Sequence, residues 1–205
     1  ALARSSNIYF YSVGGGLPAS VSRGELTSGN LDFGGLGIEV IKKYWESMRF
    51  GSLTGIDLSN EVTGFLPDPK TKESTTGEPW RLGDTYNISI GQGDLLVTPI
   101  QLALFTASLA NGGFVYEPFL KNRSEAHVVA DYSSWTEEVR IVREGMRDTV
   151  QKSYGTAHLL NDLPLSVAGK TGSAQTNNNA KVNALFIGYA PAEDPKIAIL
   201  VLVEN

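Results

Sequence analysis

Apolar positions change their period along the chain. From Leu36 to Phe50, Val40, Ile41, Tyr44, Trp45 and Met48 recur at helical spacing, which predicts a helix stopped by Gly51. Thr98-Pro99-Ile100-Gln101 reads as a second start: Thr98 caps, Pro99 suits the first helical position and Gln101 closes a capping box. Asn111-Gly112-Gly113 ends that helix. Ser134 and Glu137 form another box, predicting a helix to about Gln151. Beyond it the pattern turns strand-like over Val167–Thr176, Val182–Ala190 and Lys196–Glu204, with turns expected at Asn177–Asn179 and Pro191–Pro195. Helices followed by an antiparallel meander predict an α/β (α+β) layered domain, an antiparallel sheet flanked by helices.

The remaining segments are less periodic. A polar turn, Arg4–Asn7, precedes Ile8-Tyr9-Phe10-Tyr11, which is expected in the core, and Gly14-Gly15-Gly16 is expected to stop any regular element. Leu17–Gly35 reads as a long loop and residues 51–94 as turn-rich. The purest apolar run, Ile197–Val203, is far too short to span a membrane and reads as a buried strand.

Composition narrows the function classes. At 205 residues, 41% hydrophobic and 19% charged, the chain is globular and long enough to bury a core. A net charge of -5 lacks the basic footprint of a nucleic-acid binder. With no cysteine there is no disulfide, thiolate zinc site or cysteine nucleophile. His127 and His158 have no ligand spacing around them and are expected at surface or loop positions, so neither a metal nor a cofactor is expected. The chain starts at Ala1 inside what reads as structure and stops at Asn205 just after a strand; both ends are expected to be cuts in a longer protein.

Three segments carry candidate chemistry. Gly169-Lys170-Thr171-Gly172-Ser173 puts a fixed positive charge on a strand beside an open backbone, where an extended peptide with a carboxylate could dock; an ordinary surface strand is the competing reading. It is not a phosphate loop, because Pro164 stands where the first glycine belongs and strand follows instead of helix. Ser5-Ser6-Asn7 pairs a proton-relaying hydroxyl with a substrate-holding amide, but Ser28-Gly29-Asn30 has the same form and either could be a mere cap or turn. Gly91-Gln92-Gly93-Asp94 reads as a tight turn feeding the Thr98 helix. Asp57 and Glu61 show no sign of paired carboxylate chemistry.

The order of motifs is more informative than any one of them. Ser5-x-Asn7 with Tyr9-Phe10-Tyr11, Gly55-Ile56-Asp57-Leu58, Gly83-Asp84-Thr85, Ile90-Gly91-Gln92-Gly93, Thr98–Ala103, Gly155-Thr156-Ala157 and Lys170-Thr171-Gly172-Ser173-Ala174-Gln175 follow one another. Together they resemble the transpeptidase domain of class B penicillin-binding proteins, with Trp80–Gly93 most like the elongation type, penicillin-binding protein 2. The resemblance spans nearly the whole chain and selects Ser5 over Ser28.

It implies a penicillin-binding transpeptidase or serine β-lactamase-like fold, with helices around a five-stranded antiparallel sheet. The implied reaction is serine acyl transfer between peptidoglycan stem peptides, which β-lactam antibiotics trap at the same serine. In that frame Ser5 relays a proton, Asn7 holds the donor amide and Lys170 supplies positive charge. Thr171 and Ser173 bind the substrate carboxylate, Gly172 leaves room for it, the Ser173 N–H donates to the oxyanion and Gln175 lines the docking strand. The resemblance also implies a parent anchored in the cell membrane with this domain on the periplasmic side, with rod-complex and glycosyltransferase partners.

Two departures stand out. The family nucleophile lies in Ser-x-x-Lys, and no serine here has lysine three positions later. The Leu17–Gly35 loop is longer than the family pattern, and a C-terminal helix of the family is not recognised. Residues 1–205 are therefore expected to be a partial transpeptidase domain, incomplete at both ends. A non-catalytic scaffold or peptidoglycan-binding module, and a β-lactam sensor or β-lactamase relative, are the alternatives.

Overall fold

The computed structural model describes residues 1–16, 34–121, 125–176 and 181–205. The Leu17–Gly35 loop, save its last two residues, the Ser28-Gly29-Asn30 motif and the Asn177–Asn179 turn lie outside the described residues. The chain forms two compact units.

The first unit comprises residues 1–5, 48–64 and 97–205. Its sheet has the order β3-β4-β5, from Ala168–Thr176, Lys181–Ala190 and Ile197–Val203, all antiparallel. One face packs on helices α5 (Pro99–Ala110) and α6 (Thr136–Gln151), burying Leu109 and Met146 against Ala168 and Tyr189. On the other face Val150, Ala157 and Val167 pack with Phe186. Among the described residues the sheet has three strands rather than five, and a separate ribbon pairs β1 (Phe114–Tyr116) with β2 (Val128–Asp131).

The capping box of α5 forms as its sequence predicts, with Thr98 and Gln101 exchanging side-chain and backbone bonds. Buried Gln101 also donates to the Ser52 and Thr63 carbonyls, each at 2.9 Å, and so holds the preceding loop. Helix α6 ends at Gln151 as expected, but the Ser134–Glu137 box is corrected: Trp135 is the N-cap and has no side-chain cap bond. Trp135 instead stacks on Tyr132 at 5.1 Å, and Glu137 is taken by Arg140. Asp57 and Glu61 act structurally, accepting backbone N–H groups of Leu120 and Lys121 and of Thr54 and Gly55.

The second unit comprises residues 6–47 and 65–96. It contains α1 (Asn7–Gly15), α2 (Gly37–Ser47), α3 (Pro69–Thr76) and α4 (Leu82–Ser89). Helix α2 ends at Ser47, short of the predicted Phe50, and departs from the predicted stripe: Ile41 is buried with Ile38 against Ile88, with Trp45 and Trp80 beside them, but Val40 and Tyr44 are exposed and Met48 lies beyond the helix. Helix α1 overturns one expectation. Ile8 and Tyr9 are 76% and 53% exposed, not core. The glycine run ends the element as expected: α1 stops at Gly15 and Gly16, at φ 82°, is its C-cap, while Gly14 is glycine because α4 approaches so closely that a Cβ there would sit 1.8 Å from Ser89 Oγ. Helices α3 and α4 occupy the segment read as turns. Asp68 caps α3 and bonds Lys42 at 2.6 Å; that bond and the Thr71 N–H bring its pKa down to about 2.

Candidate active site

Ser5 ends a short 3-10 turn, Leu2–Arg4, that is seated on α6. Leu2 fills the space over Gly145, where a Cβ would come within 2.8 Å of it. Ala3 is buried, and the Arg4 guanidinium lies 4.2 Å from the centre of the Tyr154 ring. Ser5 itself has φ 51° and ψ 48°, the left-handed region that costs a side-chain-bearing residue about 1–2 kcal/mol. Its N–H closes the turn on the Leu2 carbonyl at 3.1 Å, which leaves its hydroxyl at the exposed surface.

Strand β3 brings Lys170 to that hydroxyl. The pleat places Ala168, Lys170 and Gly172 on one face and Gly169, Thr171 and Ser173 on the other. The Lys170 ammonium donates to Ser5 Oγ at 2.9 Å and to the Thr171 carbonyl at 2.5 Å. Two residues 165 positions apart thus meet directly. Burial pushes the Lys170 pKa below the ordinary lysine range, because partial desolvation disfavours the charged form. On the opposite face Thr171 Oγ1 lies 2.7 Å from Thr156 Oγ1.

The two strand glycines have different reasons to be glycine. A Cβ on Gly169 would lie 2.5 Å from the Phe186 ring and 2.9 Å from the Ile187 carbonyl, so packing forbids it. Among the described residues a Cβ on exposed Gly172 would meet only Leu185, at an ordinary 3.5 Å. Nothing within the fold asks for glycine there. Ser173 and Gln175 are also exposed, and β3 pairs only with β4 among the described residues, so its other edge is open.

The remaining predicted positions fall as follows. Asn7 opens α1 as an exposed residue of the second unit. His127 is exposed and bonds Glu117 at 3.0 Å, and His158 bonds the Val150 carbonyl at 3.1 Å, both at the surface as expected. No group of metal-ligating side chains occurs among the described residues. A cleft of about 440 Å³ beside α6 includes Arg140, Arg143 and Arg147, but each is engaged within the protein, with Glu137 and Glu144, the Ala192 carbonyl and Glu193 respectively. It takes no part in the Ser5–Lys170 arrangement. Thr156 had no role in the sequence reading; only its place in Gly155-Thr156-Ala157 marked it.

A family model described as the penicillin binding protein transpeptidase domain matches residues 1–205. The chain belongs to this transpeptidase family. It is 32% identical over 196 residues to the peptidoglycan D,D-transpeptidase MrdA of Acinetobacter baumannii, covering 83% of this chain and 29% of that protein. It also superposes on penicillin-binding protein PBP2 of Helicobacter pylori with a TM-score of 0.81 and 30% identity, covering 100% of this chain and 35% of that one. The same protein in complex with MreC matches with a TM-score of 0.80 and 30% identity, again over 100% of this chain and 35% of that chain. The chain thus spans about a third of the length of these relatives. These matches bear out the penicillin-binding transpeptidase fold and the likeness to the elongation type.

Proposed function

We propose that residues 1–205 are the greater part of a peptidoglycan D,D-transpeptidase domain acting in cell elongation. The observation that carries this reading is the Lys170 ammonium on Ser5 Oγ, with Ser5 held in a left-handed turn at the edge of β3. That geometry suits a proton relay beside a fixed positive charge. The attacking serine comes from a part of the full protein outside these residues, since none here is followed by lysine in the family spacing.

In this scheme that serine adds to the carbonyl of the donor's D-Ala-D-Ala bond. Its proton passes to a base of its own motif; as the peptide bond breaks, Ser5 gives its hydroxyl proton to the departing D-Ala nitrogen and takes the proton held by that base in its place. An amine of a second stem peptide then displaces the acyl-enzyme ester and restores the serine. Asn7 holds the donor amide. Lys170, Thr171 and the Ser173 hydroxyl attract the terminal carboxylate, and the Ser173 N–H donates to the oxyanion. Gln175 borders the peptide lying along the open edge of β3, and the absence of a side chain on Gly172 lets that peptide come close. A β-lactam mimics the donor and stays on the serine.

The parent is anchored in the cell membrane with this domain on the periplasmic side; among the described residues no helix is long and apolar enough to cross a membrane. The relative solved with MreC supports a rod-complex partner, and a glycosyltransferase partner follows from the need to supply glycan strands.

Intact mass spectrometry of the full-length protein with benzylpenicillin tests this reading. The expected result is a gain of one penicillin that persists for hours, mapped to a serine outside residues 1–205. A protein that takes up none, as a scaffold would, or that releases it in seconds, as a β-lactamase would, overturns it.

A further inference from the structure

Thr156 bonds to both supports of the Ser5–Lys170 arrangement. Its backbone N–H donates to the Ala3 carbonyl at 3.2 Å, within the turn that presents Ser5. Its hydroxyl lies 2.7 Å from that of Thr171, next to Lys170 on β3. Tyr154, two residues earlier, carries the Arg4 guanidinium of the same turn. Gly155 between them cannot be replaced, because a Cβ would lie 2.1 Å from the Thr149 carbonyl oxygen. The segment after α6 is thus pinned where one residue can reach the Ser5 turn and the far face of β3 together.

We infer that Thr156 is a positioning residue that sets the direction of the Thr171 hydroxyl for a substrate carboxylate, an inference that rests on the transpeptidase reading above. A hydroxyl has one proton to donate. Between two threonines either can be donor while the site is empty. Once Thr171 gives its proton to a carboxylate, it can only accept from Thr156, so Thr156 becomes the donor. That bond fixes the Thr171 rotor and polarises its O–H toward the anion.

The test compares acylation of the full-length protein by benzylpenicillin and by its methyl ester, which lacks the carboxylate charge. The readout is the ratio of the two second-order rates. Thr156→Val removes the donor at nearly constant shape and keeps the backbone bond to Ala3. It should lower the ratio about tenfold, the scale of one lost hydrogen bond to a charged group. Thr156→Ser should restore most of it. If Thr156→Val does not fold, Thr156→Ala gives the same comparison. Equal losses with both compounds, leaving the ratio unchanged, mark a merely structural residue and overturn the inference. A wild-type protein that neither compound acylates overturns the transpeptidase reading, and this inference with it.

Discussion

In the proposed function Lys170 brings a charge that also has a cost. Burial lowers its pKa, so the folded chain holds this proton less tightly than the unfolded chain does. Between the two pKa values the unfolded state binds more protons, and stability contributed at this residue rises with pH. The charged form therefore carries a desolvation penalty, offset by its bonds to Ser5 and the Thr171 carbonyl. Function runs the other way: as pH rises through the lowered pKa, the charge that attracts a carboxylate is lost. Acylation of the full-length protein by benzylpenicillin should then fall on the alkaline side below the ordinary lysine pKa of about 10.4. Lys170→Arg stays charged throughout, so whatever acylation it retains should lack that limb. A wild-type profile flat to the ordinary lysine pKa counts against this account.

At the scale of one element, β3 separates fold from function in two neighbouring glycines. Gly169 is closed in by Phe186 and the Ile187 carbonyl, whereas Gly172 faces outward with room for a methyl group. Gly169→Ala should therefore destabilise the first unit by about 1–3 kcal/mol, the usual cost of overpacking. Gly172→Ala should leave the thermal midpoint nearly unchanged and slow benzylpenicillin acylation at least tenfold, because the added methyl meets only what lies along the strand. Differential scanning calorimetry and acylation kinetics on both variants decide it; equal effects on both measurements would remove the contrast. Elements were legible from sequence where local rules acted alone. The Thr98–Gln101 box and the strands β3, β4 and β5 formed as predicted, but β5, read from its apolar run as a buried strand, is exposed at Ile197, Ile199, Val201 and Val203. Helix α1 was hidden because its exposed Ile8 and Tyr9 imitate a core segment, although its glycine stop was readable. Helix α3 has a readable start, Asp68-Pro69, but a wholly polar body with no apolar stripe to follow.

For the molecule as a whole, motif order reached further than pattern. It linked Ser5 to Lys170, which no periodicity could do across 165 positions, and the structure sets them 2.9 Å apart. It gave Thr156 no role, because hydrogen bonds between distant loops leave no spacing in a sequence. Residues 1–205 alone also carry a feature visible only in three dimensions. Ile197, Ile199, Val201 and Val203 alternate along β5, all on one face of the sheet, and are 58%, 41%, 47% and 59% exposed. The same face is covered around Phe186 and Ala190 of β4 by Val150, Ala157 and Leu160. Among the described residues β5 also pairs only with β4, so an apolar row lies beside an open strand edge. A net charge of -5 supplies only weak repulsion between copies at physiological salt, where screening acts within about 8 Å. The 205-residue chain produced by itself should therefore self-associate with rising concentration in sedimentation velocity. Paired Ile199→Lys and Val201→Lys substitutions should shift it toward monomer while leaving its circular dichroism intact, because outward-facing lysines block edge pairing without touching Leu109, Met146 or Tyr189. A chain that is monomeric at every concentration without those changes would show that this row does not drive association.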